Sequence, residues 1–160
     1  NIVLQEALNP PSPENQEFEH HNRIFRVGDK VIQLRNNYDL EVFNGDIGLI
    51  KDIQAEDQEA LIEFPQGPVT FQTSDFLDLA HAYAVTVHKS QGSEYPAVVM
   101  VASTQHFMML QRNLFYTGLT RARRTMVFIG ARRAIALAVK NNRPKMRNTV
   151  LSALLQNMPE

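Results

Sequence analysis

The first half of the chain alternates apolar and polar positions over short segments, a pattern typical of β-strands that are buried on one face. Asn44-Gly45 lies between two such segments and is a strong turn signal. Three further segments at hairpin spacing follow, over Gly48–Ile53, Ala60–Phe64 and Val69–Gln72. Together they predict a small β-barrel of roughly 35 residues.

After Leu79 the pattern changes to alternating helical and strand-like segments, which indicates a layered α/β domain. The predicted helices are Val85–Gln91, Phe107–Arg121, Ala131–Asn141 and Thr149–Met158, and the predicted strands are Ala97–Ala102, which we expect to be buried, and Thr125–Gly130. The first 24 residues, with three prolines between positions 10 and 13, predict a short helix followed by an extended connection.

Size and composition are those of a globular protein. The chain has 160 residues, of which 44% are apolar and 21% charged, and this excludes an intrinsically disordered class. It has no cysteine, which excludes a disulfide framework and thiolate metal sites. No segment resembles a membrane span or a signal peptide, so we expect a cytoplasmic protein without a membrane partner.

Charge is distributed very unevenly along the chain. Residues 1–80 carry 5 Lys or Arg and 15 Asp or Glu, whereas residues 81–160 carry 11 and 2, so a net charge of −1 conceals an acidic and a basic half. A basic half is typical of a phosphate-binding surface. It is equally typical of a solvated helical face that pairs with the acidic half, and charge alone leaves both interpretations open.

Candidate binding residues are concentrated just before the predicted strand at 97–102. Thr86, His88, Gly92 and Glu94 lie within one short window. A histidine can contact phosphate, a glycine lets a ligand approach the backbone, and a carboxylate can accept a hydrogen bond from a sugar hydroxyl. Each also has a structural explanation, such as a glycine that ends a helix beside a surface acid, but their proximity favours a binding site.

Arg121 lies where a predicted helix gives way to a strand, near the same end of the sheet as Gly92. Its planar guanidinium is suited to neutralising a phosphate, and a surface ion pair is the structural alternative. Arg123 and Arg124 cannot share one helical face with Arg121, so we expect them to serve the surface or a backbone contact.

A polar, turn-rich edge precedes the predicted barrel. Its amides and backbone N–H groups are suited to holding a nucleic acid backbone, and the candidates are Asn36, Asn37, Asn44 and Gly45. Ordinary hairpin chemistry is the structural alternative, and it explains Asn44 and Gly45 fully. The sequence contains no G-x-x-x-x-G-K-[ST] motif, so this chain lacks the loop that cradles a triphosphate and positions Mg²⁺.

Three ordered motifs resemble those of the RecD-like helicases of superfamily 1, the family that includes the exodeoxyribonuclease V alpha chain. Residues 86–95 resemble helicase motif V, and residues 116–122 resemble motif VI. Residues 35–38 together with 42–48 resemble a segment typical of the RecD branch. The resemblance covers nearly the whole chain from about Phe25.

The resemblance implies an α/β fold, namely the second RecA-like motor domain of P-loop NTPase type with an inserted small SH3-like β-barrel. It implies a linker over residues 1–24, RecA-like domain 2A over residues 25–47 and 80–160, and the barrel, domain 2B, over residues 48–79.

The resemblance also implies roles for the candidate residues. Arg121 would be the arginine finger on the γ-phosphate, and Gly92 with Glu94 would contact the nucleotide. Single-stranded DNA would be held by Thr86 and His88, with help on the same track from Asn36, Asn37, Asn44 and Gly45.

ATP and Mg²⁺ would bind between this domain and an N-terminal RecA-like domain that the chain lacks, and DNA would be moved 5′ to 3′. We therefore expect the chain alone to bind no cofactor, hydrolyse no ATP and unwind no DNA. The expected partners are single-stranded DNA, the missing N-terminal domain, and proteins of DNA repair or recombination. The alternatives are a non-catalytic module that binds single-stranded nucleic acid and an interaction domain whose basic half docks on an acidic partner.

Overall fold

The computed structural model describes residues 1–13, 15–54 and 59–142, which form one unit over Asn1–Ser90 and a second that begins at Gln91. The predicted helix Thr149–Met158 lies outside the described residues. None of the helices within these ranges could span a membrane.

The first unit is built on a five-stranded antiparallel sheet. Its strands are β3 (Lys30–Gln33), β4 (Ile47–Gln54), β5 (Glu59–Phe64), β6 (Gly67–Gln72) and β7 (Leu79–His81), in the order β6-β5-β4-β3-β7. A helix, α1 (Ile2–Leu8), and a hairpin of β1 (Glu17–His20) and β2 (Arg23–Arg26) precede the sheet. The strands predicted between residues 48 and 72 are thus confirmed.

The sheet is open among the described residues, so the closed barrel that the sequence predicts is not observed. A 3₁₀ helix over Thr73–Asp78 follows β6 and carries Phe76 into the core, where its ring packs edge-on against Phe25 with centroids 5.0 Å apart. The chain then enters β7, which pairs with β3 instead of β6. The sheet contains strands from both predicted domains, 2A and 2B. The division of the chain into these two domains stays a prediction.

The second unit contains two parallel strands, β8 (Tyr95–Ala102) and β9 (Ala122–Gly130). A 3₁₀ helix over Thr104–Met109 and the helix α2 (Arg112–Leu119) connect them, and α3 (Arg132–Lys140) follows β9. The core of this unit includes Phe115 of α2, whose ring stacks on Phe128 of β9 with centroids 5.1 Å apart. The alternation of helix and strand that the sequence predicts is confirmed here.

Two predicted helices are wrong in detail. In the segment Val85–Gln91, residues 87–91 form hydrogen-bonded turns in place of a helix, and the Ser90 hydroxyl donates to the Val87 carbonyl at 2.8 Å. The helix predicted over Phe107–Arg121 is interrupted after Met109, and α2 starts only at Arg112. Leu110 turns into the core at this break, and the Asn141 amide donates to the Leu110 carbonyl at 2.9 Å.

The strand predicted over Ala97–Ala102 forms within β8, but the expectation that it is buried is wrong for part of its length. Val99 is 61% exposed and Val101 is 68% exposed, whereas Ala102 is buried. The reason is that the second unit covers one face of this two-stranded sheet with its helices and leaves the side chains of the other face in contact with solvent.

Asp29 accepts more hydrogen bonds than any other buried side chain among the described residues of the first unit. Its side chain is fully buried, and its two oxygens accept four hydrogen bonds of 2.6–2.9 Å. The donors are the side chains of Gln5, Asn9 and Tyr83 and the backbone N–H of Arg26. His81 Nε2 lies 3.3 Å from the same carboxylate.

These contacts shift two pKa values. Burial raises the pKa of Asp29, but the hydrogen bonds from His81, Asn9, Tyr83 and the Arg26 backbone together outweigh it and hold the pKa below its ordinary value of 3.8. Burial and the bond to the Asp29 carboxylate raise the pKa of Tyr83 to about 12. At neutral pH the carboxylate therefore stays ionised and the Tyr83 hydroxyl keeps its proton.

We predict that Asp29→Asn lowers the free energy of unfolding by about 2–4 kcal/mol, because bonds to a charged buried group are strong and an amide places a donor against donors. Since the folded pKa lies below the unfolded value of 3.8, the stabilisation is present above pH 3.8 and is lost as pH falls through the folded pKa. The difference in stability between wild type and variant should therefore narrow below pH 3.8.

Urea unfolding at neutral pH and at a series of acidic pH values measures this difference. Asp39→Asn is the matched control, since Asp39 is exposed and should leave the stability unchanged. Equal stability of Asp29→Asn and wild type at neutral pH would contradict the prediction.

Candidate functional site

Arg121 lies next to the segment that contains Gly92 and Glu94. The parallel pairing places Tyr95, the first residue of β8, opposite Ala122, the first residue of β9, so the residues that precede both strands meet at one edge of the sheet. Arg121 Nη1 donates to the Ser93 carbonyl at 2.9 Å, and the Tyr95 N–H donates to the Arg121 carbonyl at 2.8 Å. The predicted proximity of Arg121 and Gly92 at one end of the sheet is confirmed.

The guanidinium of Arg121 is bonded to neutral acceptors. Besides the Ser93 carbonyl, Nε donates to the Thr117 carbonyl at 3.2 Å and Nη2 donates to the Thr120 hydroxyl at 3.2 Å. These bonds fix the orientation of the side chain without cancelling its charge. Arg121 is partly exposed, so its positive charge is available to an anion.

Glu94 has a partner that sequence reasoning missed. Its Oε2 accepts a hydrogen bond from Arg123 Nε at 2.7 Å, and both side chains are exposed. The hydrogen bond from Arg123 and then the charge of Arg123 lower the pKa of Glu94, with a smaller contribution from the charge of Arg121. The sequence did contain a signal, since residues 81–160 carry two acids, Glu94 and Glu160, and 11 Lys or Arg that need a partner.

Gly92 adopts a backbone conformation that other residues rarely take. Its φ is +83°, and a Cβ atom added there would meet no atom within 4 Å. The need for glycine therefore comes from the turn, while the space beside the backbone is open to a ligand.

Thr86 and His88 belong to the first unit, where both are exposed. The Thr86 hydroxyl accepts a hydrogen bond from the Lys89 N–H at 3.3 Å. His88 makes no hydrogen bond in the described part of the chain. The segment that leads to them is held by Asn1, whose side chain accepts from the Ala84 N–H at 2.7 Å and donates to the Ala84 carbonyl at 3.0 Å.

The four candidates between residues 36 and 45 lie in the connection between β3 and β4, which we call the Asn loop (residues 35–46). Asn36 Oδ1 accepts from the Asn44 N–H at 2.9 Å, and Asn37 Oδ1 accepts from the N–H groups of Asp39 and Leu40. Gly45 has φ +100° and donates its N–H to the Gln33 carbonyl at 2.9 Å.

Structural roles thus explain Asn36, Asn37 and Gly45, and the turn predicted at Asn44-Gly45 is confirmed. The side-chain amide of Asn44 is exposed and makes no hydrogen bond within the described ranges. A role of these four residues in binding DNA stays a prediction. Within residues 1–13, 15–54 and 59–142, no group of three His, Asp or Glu side chains could hold a metal ion.

Two family models match the chain in separate regions. The model of the ATP-dependent RecD-like DNA helicase SH3 domain matches residues 1–64, and the model of the UvrD-like helicase C-terminal domain matches residues 81–129. The chain is related to the RecD-like DNA helicases. The resemblance that its motifs predict is confirmed.

Curated relatives of this RecD-like chain are similar over most of its length. The ATP-dependent RecD2 DNA helicase of Deinococcus radiodurans is 39% identical over 126 residues, which cover 79% of this chain and 17% of that protein. The RecBCD enzyme subunit RecD of Mycolicibacterium smegmatis is 32% identical over 114 residues, which cover 71% of this chain and 20% of the subunit. The RecD-like chain thus spans about a fifth of the length of the curated relatives it matches.

Solved structures support the fold. The Pif1 helicase from Bacteroides in complex with ADP-AlF3 and ssDNA matches with a TM-score of 0.59 at 17% identity, over 97% of the RecD-like chain and 41% of the Pif1 chain. At this level of identity the likeness supports the mixed α/β fold and nothing finer.

We predict that Arg123→Gln raises the pKa of Glu94 back toward its ordinary value of 4.5, because the neutral amide removes both the charged hydrogen bond and the positive charge. An NMR titration that follows the Glu94 side-chain carboxyl measures the shift. Arg124→Gln is the control, and it should leave the Glu94 titration where it is in the wild type. An unchanged Glu94 titration in Arg123→Gln would contradict the assignment of the pair.

Proposed function

We propose that this chain is the C-terminal motor region of an ATP-dependent DNA helicase of the RecD-like family, with Arg121 as its arginine finger. The observation that carries the proposal is the position of Arg121, which is oriented by three neutral acceptors beside the segment Gly92–Glu94. A guanidinium that is fixed in direction and keeps its charge is suited to a phosphoryl group whose negative charge grows in the transition state.

In this proposal Gly92 and Glu94 contact the nucleotide. The open space beside Gly92 admits the ligand to the backbone, and the lowered pKa of Glu94 keeps its carboxylate ionised as an acceptor for a sugar hydroxyl. Arg123 holds Glu94 in place. ATP and Mg²⁺ would bind between this region and a first RecA-like domain, and Mg²⁺ would supply neutralisation of the phosphate charge.

Single-stranded DNA is the proposed substrate of the first unit. Thr86 and His88 are exposed on turns, which suits contacts to the phosphate backbone, and the Asn44 amide is available on the Asn loop. Support comes from the relatives, since one similar Pif1 helicase was solved with ssDNA. We further propose a 5′ to 3′ direction of movement, the 2A and 2B assignment given above, and partners from DNA repair or recombination in the cytoplasm.

We predict that Arg121→Ala, introduced into the longer protein that contains this region, lowers kcat of the DNA-stimulated ATPase by about 10³-fold or more, because an arginine finger contributes about 10³–10⁵ in rate. The KM for ATP should change little. Arg121→Lys, which keeps the charge but loses the planar fork, should recover part of the rate. Arg124→Ala is the control for the general loss of a cation, and a loss with Arg121→Ala no larger than with this control would overturn the proposal.

The 160-residue chain alone should neither hydrolyse ATP nor unwind DNA, because it has no phosphate-binding loop. A DNA-stimulated ATPase that survives purification and falls in Arg121→Ala would contradict this expectation. Peptide mapping of the native gene product decides between the motor and the non-catalytic binding module. A G-x-x-x-x-G-K-[ST] peptide upstream of Asn1 supports the motor, and a native chain without one supports the module.

A further inference from the structure

The Asn loop displays two aromatic rings to solvent. Tyr38 is 75% exposed, more than any other aromatic residue in the described ranges, and Phe43 is 46% exposed. Their ring centroids are 6.1 Å apart, and the ring planes meet at 76°. The two side chains thus form one aromatic surface, which we call the Tyr38–Phe43 pair.

This exposure is built into the loop and does not result from a loose backbone. Val42, between the two rings in sequence, is fully buried and anchors the loop in the core. Its backbone exchanges two hydrogen bonds with Asn37, at 2.7 and 3.0 Å. Because Val42 points inward, its neighbour Phe43 is directed away from the core.

Polar bonds further fix the Tyr38 ring and the backbone that carries Phe43. The Asn36 amide donates to the Tyr38 hydroxyl at 3.2 Å, and Asp46 Oδ2 accepts from the Phe43 N–H at 2.8 Å. A ligand that binds to rings held in this way loses little conformational entropy of the protein on binding. Asn36, which the sequence suggests as a DNA contact, therefore holds the Tyr38 ring in place.

The surroundings of the pair favour a base over a phosphate. Asp39 and Glu41 are exposed on the same loop, and carboxylates repel phosphates. The Asn44 amide is available beside Phe43, and an amide can bond to the edge of a base. The nearest cation in sequence, Arg35, is 80% exposed, with Nε 3.5 Å from Asp78 Oδ1.

We propose that the Tyr38–Phe43 pair is a stacking surface for an unpaired base of single-stranded DNA, with the Asn44 amide at the edge of that base. The proposal rests on the proposed binding of single-stranded DNA and names the part of the first unit that contacts bases. Aromatic stacking is tolerant of sequence, since every base has a π-face, and it suits a protein that moves along DNA. One stacked base contributes about 5- to 150-fold in affinity.

Tryptophan fluorescence tests the surface directly. The sequence has no tryptophan, so Tyr38→Trp places a single reporter in the pair. Oligodeoxythymidylate should quench it, whereas an oligonucleotide of equal length with abasic sites, which keeps the phosphates and lacks the bases, should not. Phe107→Trp is the matched control, because Phe107 is exposed in the second unit and lies outside the pair, and no base-dependent quenching is expected.

Binding measured by fluorescence anisotropy gives a second readout. Tyr38→Leu and Phe43→Leu should each weaken binding of oligodeoxythymidylate by about 5- to 150-fold and leave the abasic oligonucleotide unaffected. Tyr38→Phe keeps the ring and loses the hydrogen bond from Asn36, so its affinity should fall by less than that of Tyr38→Leu. The dependence of affinity on salt should be unchanged in the leucine variants, because no phosphate contact is removed.

The two readouts separate the failure of this inference from the failure of the proposed function. If the wild type binds both oligonucleotides equally and Tyr38→Trp is not quenched, the proposed stacking surface is contradicted, while the proposed binding of single-stranded DNA is not. If the wild type binds neither, the proposed DNA function fails with it. Quenching of Tyr38→Trp by an arginine-rich peptide and not by DNA assigns the pair to a basic protein partner and also overturns the inference.

Discussion

The first unit depends on a single buried carboxylate. Asp29 lies in the turn that joins β2 to β3, and its four hydrogen bonds join three parts of the chain that are far apart in sequence, namely α1, the β2–β3 turn and Tyr83 after β7. A buried charge is costly unless its lone pairs are satisfied, so each of these elements must be in place for the others to be stable. The arrangement makes the docking of α1 part of the fold.

The second unit obeys a simpler constraint, that of parallel strand pairing. Because β8 and β9 run in the same direction, the segments that precede them lie side by side, and this brings the two helicase motifs into contact through Ser93 and Arg121. The pairing of β8 with β9 is therefore enough to bring the candidate residues Gly92, Glu94 and Arg121 together. It follows from the connection between the strands, which passes through α2 and returns the chain to the end of the sheet where it started.

Much of this could be predicted from sequence because the signals are local. Period-two alternation identified the strands of the sheet, and the position of Arg121 between a predicted helix and a predicted strand placed it near Gly92. What could not be predicted depends on packing. The break before α2 exists because Leu110 is drawn into the core, and the partners of Asp29 lie up to 54 residues away. The exposed aromatic side chain of Tyr38 was missed because the polar residues around it looked like the functional ones.

The two hydrogen bonds between the Asn1 side chain and the backbone of Ala84 have a mechanical consequence. The Asn1 amide forms with the Ala84 backbone the same pair of hydrogen bonds that two residues of neighbouring antiparallel strands form. Ala84 lies two residues before Thr86. Since Gln5 of α1 and Asn9 at its end both bond to Asp29, the helix connects the Asp29 carboxylate to the backbone at Ala84. A displacement of α1 along its axis would therefore move the backbone at Ala84 together with the side chains that bond to Asp29.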